Sequence, residues 1–436
     1  MKKFKIIISI LGIILVFGMV GYIQAQEKTE GAKAERWEPR LLWSKEYEWP
    51  LAHGGMHISD DGERVVIITQ RHISGPRWQA RVEMLDGSGT ALWRKEINDK
   101  VIFSNLSKNG KYLLLCFMGG KKVSPVQQYY DVTGKKLWVK EVPSWVVLVS
   151  PDGEYLGFSG ALQGMEPSLM DWWELRDKEF SLIWKYKPKW QFDAVVLSEG
   201  KTLIIEGNKL RLYDKRGRSL KEVLIPDIKP YRLSYQMGSV LPKLGVGPDR
   251  LASTEDGRYV AFVYSMEDEK SKDWLWTLYS VDMDTGRWWS YPLKTTQVDG
   301  VHITEDGRYV MVFRPMGLFF FDNKEGKLLW KDTTGWDMWD GSLLSGPEDI
   351  SEDLGLIVIR WVVPGFTYKK GTYQVVPISD EEKRKIGEKS TYILGFHGNK
   401  VWKSETFLDE EQFSRHNKLL LAEKKGKVSL YEMVKR

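Results

Sequence analysis

The run Ser107-Lys108-Asn109-Gly110 is followed almost at once by the apolar segment Tyr112-Leu113-Leu114-Leu115-Cys116-Phe117. Asn-Gly tolerates the positive φ that a tight hairpin demands, so the first run predicts a turn between two antiparallel strands. The apolar segment predicts the strand that leaves this turn. Cys116 is interpreted as a buried small hydrophobe, and because it is the only cysteine, the chain cannot form an internal disulfide.

The same turn-and-strand landmark recurs along the whole chain at intervals of roughly 50 residues, which is typical of repeat architectures. Clear copies are Ser59-Asp60-Asp61-Gly62, Ser150-Pro151-Asp152-Gly153, Thr254-Glu255-Asp256-Gly257 and Thr304-Glu305-Asp306-Gly307, and weaker copies begin at Ser198, Ser351 and Ser414. With the copy at Ser107, eight units are predicted.

A second landmark lies later in each unit and consists of an Asp, a Gly-containing turn and a strand that commonly bears Trp. The clearest copy is Asp131-Val132-Thr133-Gly134-Lys135-Lys136-Leu137-Trp138. The recurring tryptophans are Trp43, Trp93, Trp138, Trp184, Trp330 and Trp402, with Trp288 in a similar place. Recurrence at one position of the unit predicts that they pack between units and do not form a cofactor platform.

Each unit therefore offers four short strands joined by turns, and such units in series bury both faces of every sheet when they pack around an axis. The sequence predicts an all-β fold, a β-propeller of eight four-stranded blades. The last unit lacks a Trp-bearing strand, whereas residues 41–47 form such a strand without a blade. We expect this N-terminal strand to complete the C-terminal blade and close the ring; seven blades with one degenerate unit is the alternative.

These repeats resemble those of WD-type and, more closely, quinoprotein-type (PQQ-like) propellers, whose units carry an Asp, a Thr-Gly turn and a Trp as at Asp131, Thr133, Gly134 and Trp138. The resemblance covers residues 40–436 and indicates the fold better than it indicates a function. It allows a dehydrogenase that holds pyrroloquinoline quinone (PQQ) and Ca²⁺ over the axis. The adjacent-cysteine disulfide common in the family's alcohol dehydrogenases cannot form here. A cluster of acidic residues is interpreted as part of a solvated loop rather than as a calcium site: Asp332, Asp337, Asp340, Glu348 and Asp349.

Export is predicted from the N-terminus, where Lys2, Lys3 and Lys5 precede an uncharged run over residues 6–23. Residues 1–25 are predicted to be a signal peptide or an N-terminal membrane anchor, because the run is long for a signal peptide and just reaches spanning length. Residues 26–39 are predicted to be a polar linker and residues 40–436 a single propeller domain. The expected location is extracytoplasmic, periplasmic or secreted, with membrane contact only through residues 6–23 if they are retained.

Charge excludes one class of partner. The formal net charge is +5, and Lys and Arg are interleaved with Asp and Glu, whereas a nucleic-acid-binding protein gathers positive charge into one stripe. No nucleic-acid partner is therefore expected.

Loop length differs between the two faces of the predicted propeller. The two landmark turns share one face and are short, whereas the other face carries the insertions at 70–78, 118–126, 160–171, 226–247, 265–273, 332–343 and 362–389. Binding residues usually lie on long loops of a rigid scaffold. The aromatic candidates for partner contact on this long-loop face are Trp172, Tyr231, Tyr235, Trp336, Trp339 and Tyr368, although aromatic side chains also fill gaps between blades.

A second candidate site lies along the axis, where the innermost strands place polar residues two positions before the Ser or Thr of the first landmark. They are His57, Asn105, His302, Asp349 and Gln412, and the equivalent residues of the other units are Leu148, Val196 and Ala252. Alternation along a strand would turn this set toward the central channel. His57, His302 and Asp349 could bind a metal or a small anion there, but simple lining of a wet channel is the favoured interpretation of the set.

The sequence therefore favours a non-enzymatic binding or scaffold module for a protein, a peptide or a polysaccharide, and no cofactor is predicted for it. Local catalytic motifs such as a His-Glu-x-x-His helix or a Gly-x-Ser-x-Gly elbow are absent from the sequence. The alternative is a quinone- or metal-dependent oxidoreductase with its site at the axial channel.

Overall fold

Eight four-stranded antiparallel sheets make up the computed structural model, and every one follows the strand order that a propeller requires. The structure describes residues 37–435 except 118–124, 143–145, 161–171, 190–191, 229–250, 268–273, 294–297, 299, 315–316, 333–348, 362–365, 369–374, 378–389, 398–399 and 404–409. The prediction of an all-β propeller is confirmed, and the count is eight blades rather than the alternative of seven.

The first four blades follow the chain in order, each from its innermost strand outward. Blade 1 contains β2 (Leu51–Ile58), β3 (Arg64–Ser74), β4 (Arg77–Asp86) and β5 (Ala91–Ile97); blade 2 contains β6 (Val101–Leu106), β7 (Tyr112–Phe117), β8 (Val126–Asp131) and β9 (Lys136–Glu141). Blade 3 contains β10 (Val146–Val149), β11 (Tyr155–Gly160), β12 (Trp172–Asp177) and β13 (Leu182–Tyr186); blade 4 contains β14 (Phe192–Val196), β15 (Thr202–Glu206), β16 (Lys209–Tyr213) and β17 (Ser219–Leu224).

The remaining blades keep this plan. Blade 5 contains β18 (Leu251–Ser253), β19 (Tyr259–Glu267), β20 (Trp274–Asp282) and β21 (Arg287–Pro292); blade 6 contains β22 (Gly300–Ile303), β23 (Tyr309–Arg314), β24 (Gly317–Asp322) and β25 (Lys327–Asp332). Blade 7 contains β26 (Asp349–Ser351), β27 (Leu356–Trp361), β30 (Ser390–Gly395) and β31 (Lys400–Lys403). A separate pair, β28 (Phe366–Tyr368) and β29 (Val375–Pro377), lies within its long insertion.

Blade 8 closes the ring. It contains β32 (Glu410–Phe413), β33 (Leu419–Lys424) and β34 (Lys427–Lys435), and its outermost strand is β1 (Trp37–Glu46) from the other end of the chain. β1 pairs antiparallel with β34 from Trp37 opposite Lys435 to Glu46 opposite Lys427. The predicted closure is confirmed. β1 includes the last three residues of the segment predicted as a linker, because they continue the ladder with β34.

The core is divided among the interfaces between neighbouring blades. Eight buried apolar clusters are described, one for each adjacent pair of blades, including the pair formed by blades 8 and 1. Burial of apolar surface on both sides of every sheet drives this arrangement. The fold is therefore stabilised around the whole ring.

Recurring tryptophans connect the blades as predicted. The indole Nε1 of Trp93 donates to Val132 O at 2.9 Å, and that of Trp138 donates to Lys178 O at 2.9 Å. Equivalent bonds run from Trp43 to Gly87 O and from Trp330 to Phe396 O, always to the outer turn of the following blade. These tryptophans are packing residues.

One of the predicted positions was wrong. In blade 5 it is Trp289, not Trp288, that donates to the next blade, with Nε1 2.7 Å from Asn323 O. Trp288 points to the opposite side of the sheet and packs against the cluster shared with blade 4. Neighbouring residues of a strand face opposite sides, so a shift of one residue changes the blade that is contacted.

Candidate functional site

The axial candidates all lie on innermost strands, as the sequence predicted. His57 is in β2, Asn105 in β6, His302 in β22, Asp349 in β26 and Gln412 in β32. The side chains of His57, Asn105, His302 and Gln412 are partly buried, and that of Asp349 lies outside the described residues. The five residues therefore belong to five different blades around one axis.

His57 is held as a neutral imidazole. Its Nε2 lies 2.7 Å from Ser104 Oγ in blade 2, and the Ser104 hydroxyl donates to Gly54 O at 2.9 Å. Because the serine has a single hydrogen, which Gly54 receives, we assign the proton of His57 to Nε2 as the donor to Ser104. Burial lowers the pKa of His57 to about 4. Its role in the structure is to connect blades 1 and 2.

Two further axial candidates are also engaged by neighbouring blades. Gln412 Oε1 accepts a hydrogen bond of 2.8 Å from the backbone N–H of Ile58, across the closure between blades 8 and 1. His302 Nε2 lies 3.3 Å from Glu352 Oε1 of blade 7. Burial lowers the pKa of His302, and the nearby carboxylate of Glu352 opposes that shift. These contacts hold the inner ring of strands together.

A ring of charged turn residues, which the sequence analysis did not single out, surrounds the axis on the face opposite the long loops. We call this face the short-hairpin face, because it carries the two landmark turns of each blade. The charged members of the ring follow the first residue of the inner turn: Asp60, Lys108, Glu255, Glu305, Glu352 and Arg415. Their recurrence at one position of the repeat was a signal available from the sequence.

Arg415 is the centre of this charged ring. Its guanidinium Nε and Nη2 donate to Glu352 Oε1 at 2.8 and 2.5 Å, and Nη2 lies 3.4 Å from Glu305 Oε2. Burial would raise the pKa of Glu352, but the hydrogen bond with His302 and the charge of Arg415 lower it to about 2. Blades 6, 7 and 8 are thereby joined through one partly buried cation.

Backbone donors complete the network. Glu352 Oε2 accepts a hydrogen bond of 2.6 Å from the N–H of Glu305, and Glu305 Oε1 accepts one of 2.6 Å from the N–H of Glu255. Each carboxylate therefore reaches back to the turn of the preceding blade. A chain of acids across blades 5, 6 and 7 is stabilised in this way by amide dipoles as well as by Arg415.

The charged ring also crosses the axis. Lys108 of blade 2 places its Nζ 3.4 Å from Glu255 Oε1 of blade 5. These blades are three positions apart in a ring of eight, so the ion pair bridges the mouth of the channel. Burial raises the pKa of Asp60 beside it, and the charges of Lys108 and Arg415 oppose that shift. We conclude that side chains narrow the axis at the short-hairpin face.

The register of blade 4 differs from the prediction. Leu197, rather than Ser198, takes the place of the first turn residue, because its N–H donates to Lys201 O as that of Ser59 donates to Arg64 O. The residue two positions before it is Val195, which is partly exposed, whereas Val196 is buried in the cluster shared with blade 3. Val195, not Val196, therefore occupies the channel position. A shorter turn, which contains the 3₁₀ segment Ser198–Gly200, causes the shift.

The partner-binding aromatics are only partly described. Trp172 was predicted in a loop but is the first residue of β12, partly buried, with Lys185 Nζ 5.0 Å from the centre of its ring. It is in a strand because it pairs with Gly160 of β11. Tyr368 lies in β28, and its side chain is not described. Tyr231, Tyr235, Trp336 and Trp339 lie outside the described residues, so their role stays a prediction.

A metal ion such as Ca²⁺ at the axis would need several ligand side chains placed close together. Across the described parts of the chain, no group of three or more His, Cys, Asp or Glu is placed to hold a metal ion. His57 lies in blade 1 and His302 in blade 6, which are not neighbours in the ring. Each imidazole is hydrogen-bonded to a protein group. The acidic residues between 333 and 348 lie outside the described ranges. The cofactor assignment stays a prediction.

Comparisons with solved structures return propellers of low similarity. BamB from Moraxella catarrhalis is 14% identical, with a TM-score of 0.49 over 91% of this chain and 100% of that chain. The Dos1 propeller is 9% identical (TM-score 0.48, 90% and 95% coverage), and a eukaryotic initiation factor is 10% identical (0.46, 88% and 91%). No family model and no curated protein matches the chain. The fold assignment rests on the strand order of this chain.

Within the described ranges, no helix is long and apolar enough to cross a membrane.

Proposed function

We propose that this chain is an extracytoplasmic binding or scaffold propeller, periplasmic or secreted, that engages a protein, a peptide or a polysaccharide through its long-loop face. Export is supported by the basic and apolar N-terminal sequence over residues 1–25. The long loops of a rigid propeller scaffold, where binding residues usually lie, support a role in binding.

The observation that carries the proposal is the difference between the two faces. On the short-hairpin face the inner turns are tight, with positive φ at Gly62, Gly110, Gly153, Gly257 and Gly307, and the charged ring is engaged in its own contacts. The long-loop face carries an extended hairpin in blade 1 and the separate β28–β29 pair in blade 7. Surplus structure that no blade requires is concentrated on one face.

Both described chain ends lie on the short-hairpin face. β1 runs toward the long-loop face, where Tyr47 N–H donates to Gly426 O, so its first residue, Trp37, lies at the other end of the blade. Lys435, which pairs with Trp37, lies there too. A tether formed by residues 6–23 would therefore leave the long-loop face directed away from its point of attachment.

Replacement of residues 362–389 by a short Gly-Ser linker tests this proposal. We expect partner capture, measured by crosslinking in the source cells followed by mass spectrometry, to be lost while the thermal unfolding midpoint changes little, because the insertion lies outside the blade strands. The control is Lys215→Glu with Arg216→Glu, two exposed residues of an outer turn on the short-hairpin face. Capture that persists after the replacement contradicts the proposal, and collapse of the fold shows that the insertion is structural.

A further inference from the structure

The hairpin between β3 and β4 projects from blade 1 on the long-loop face. β3 has 11 residues and β4 has 10, and they pair with each other from Arg64 opposite Asp86 to Ser74 opposite Arg77. The inner strand β2 accompanies β3 only as far as Thr69, and the outer strand β5 accompanies β4 only from Ala80. Residues 71–79 therefore form a two-stranded ribbon beyond the blade, which we call the blade 1 ribbon.

Arg71 of this ribbon and Lys100 beside it are held in place by aromatic rings. The Arg71 guanidinium lies 4.1 Å from the ring centre of Trp49 and donates to Gln79 Oε1 at 2.9 Å. Lys100, in the adjacent loop, places Nζ 4.8 Å from the ring centre of Trp78. Stacking on aromatic rings orders long cationic side chains without neutralising their charge.

These cations have no acidic partner in the described structure. Arg81, lower on the same hairpin, pairs with Glu96 at 2.9 Å, whereas Arg71, Arg77 and Lys100 form no ion pair within 4.0 Å among the described residues. Arg77 is exposed near the turn.

Apolar surface lies between the unpaired cations. Ile73 is 50% exposed and sits at the bulge between His72 and Ser74, and Trp78 is only partly buried. His72 meets Trp78 edge-on at 5.1 Å between ring centres. Interfaces are enriched in Trp and Arg, and a bulge in a projecting strand is a feature that native proteins use to re-aim side chains.

We propose that the blade 1 ribbon, with Lys100, docks an acidic segment of a protein partner that also carries apolar side chains. The three unpaired cations supply complementary charge for carboxylates, and Ile73 with Trp78 supplies the apolar contact. This inference deepens the proposed function and rests on it, because it names the chemistry of the partner and the part of the long-loop face that receives it.

A peptide probe tests the ribbon directly. A fluorescent peptide that alternates Glu and Leu is titrated with the purified full chain, and anisotropy is measured at low and high salt. We expect saturable binding that weakens with salt, and at least about tenfold weaker binding for Arg71→Gln with Arg77→Gln, because steering and contact by charge are both lost. The matched control, Lys215→Gln with Arg216→Gln on the short-hairpin face, should bind as the unchanged chain does.

Several outcomes overturn the inference. Equal loss in both double variants shows a response to overall charge, and equal binding by a Lys–Leu peptide shows that carboxylates are not recognised. Binding to vesicles of anionic phospholipid without binding to the Glu–Leu peptide assigns the ribbon to a membrane surface instead. Circular dichroism of each variant is the control that checks whether its fold is intact. Partner capture that depends on residues 362–389 but not on Arg71 and Arg77 removes this inference and leaves the proposed function standing.

Discussion

At the scale of single residues, the contact between Gly134 and Trp93 shows how the repeat specifies packing. Gly134 has φ +81°, and a Cβ built on it would lie 2.9 Å from Trp93 Cγ of the preceding blade. The Gly of the outer turn thus serves two purposes, since it permits the left-handed turn and lets the ring of the tryptophan approach. The same pairing recurs between Gly89 and Trp43.

We predict that Gly134→Ala destabilises the chain by about 2 to 3 kcal/mol more than Gly286→Ala, because an inserted methyl group must displace a packed ring. Gly286 is a matched control. Its φ is +68°, so the conformational strain of about 1 kcal/mol is similar, but nothing lies within 4 Å of its Cβ position. Chemical denaturation of both variants measures the difference. Equal destabilisation would show that backbone strain, rather than contact with the tryptophan, requires the glycine.

At the scale of elements, β1 is the feature on which ring closure depends. It supplies the outer strand of blade 8, and Trp37 within it is buried in the cluster between blades 7 and 8. Lys45 of β1 and Tyr47, one residue beyond the end of β1, contact the buried Glu83 of blade 1, at 2.8 and 3.2 Å from Oε2. Strand pairing, apolar packing and a buried charge network all cross this closure.

We predict that a chain beginning at residue 47 unfolds at a much lower temperature than a chain beginning at residue 37, or aggregates on expression. Without β1 the long strand β34 becomes an exposed edge, and Glu83 loses its Lys45 partner. The chain that keeps residues 37–436 is the control, since it retains every described strand. Thermal unfolding followed by near-ultraviolet circular dichroism decides the matter, and equal midpoints would contradict a closing role for β1.

At the scale of the whole molecule, local repeats predicted the ring, whereas contacts between distant turns were not predictable. The blade count, the closing strand and most of the recurring tryptophans follow from patterns within about 50 residues. Trp289 was missed although it lies seven residues after Asp282, as Trp138 lies after Asp131. Leu197 was missed because one turn is shorter. The pairing of Lys108 with Glu255 joins residues 147 positions apart, and no local pattern specifies which charges meet across an axis.

The charged ring is therefore the best place to test how contacts between blades stabilise the whole molecule. Arg415 joins blades 6, 7 and 8, and its side chain is 12% exposed, while that of Glu352 is 11% exposed. Removing one partner of a buried ion pair leaves the other charge without compensation, which is more costly than removing both. This asymmetry makes a double-mutant cycle informative.

We predict that Arg415→Gln lowers the free energy of unfolding by about 3 to 5 kcal/mol near pH 7, and that Glu352→Gln added to it restores a large part of the loss. The pH dependence gives a second readout. The pKa of Glu352 is lowered to about 2 from an ordinary 4.5, so its stabilisation is present above about pH 4.5 and is lost as pH falls toward 2. The difference in the free energy of unfolding between the unchanged chain and Arg415→Gln should therefore become smaller as pH falls from about 4.5 toward 2. Protonation of Glu352 removes the charge that Arg415 compensates. A difference that stays constant with pH, or a double variant less stable than Arg415→Gln alone, would show that Arg415 acts through packing of its side chain and not through the carboxylates of blades 6 and 7.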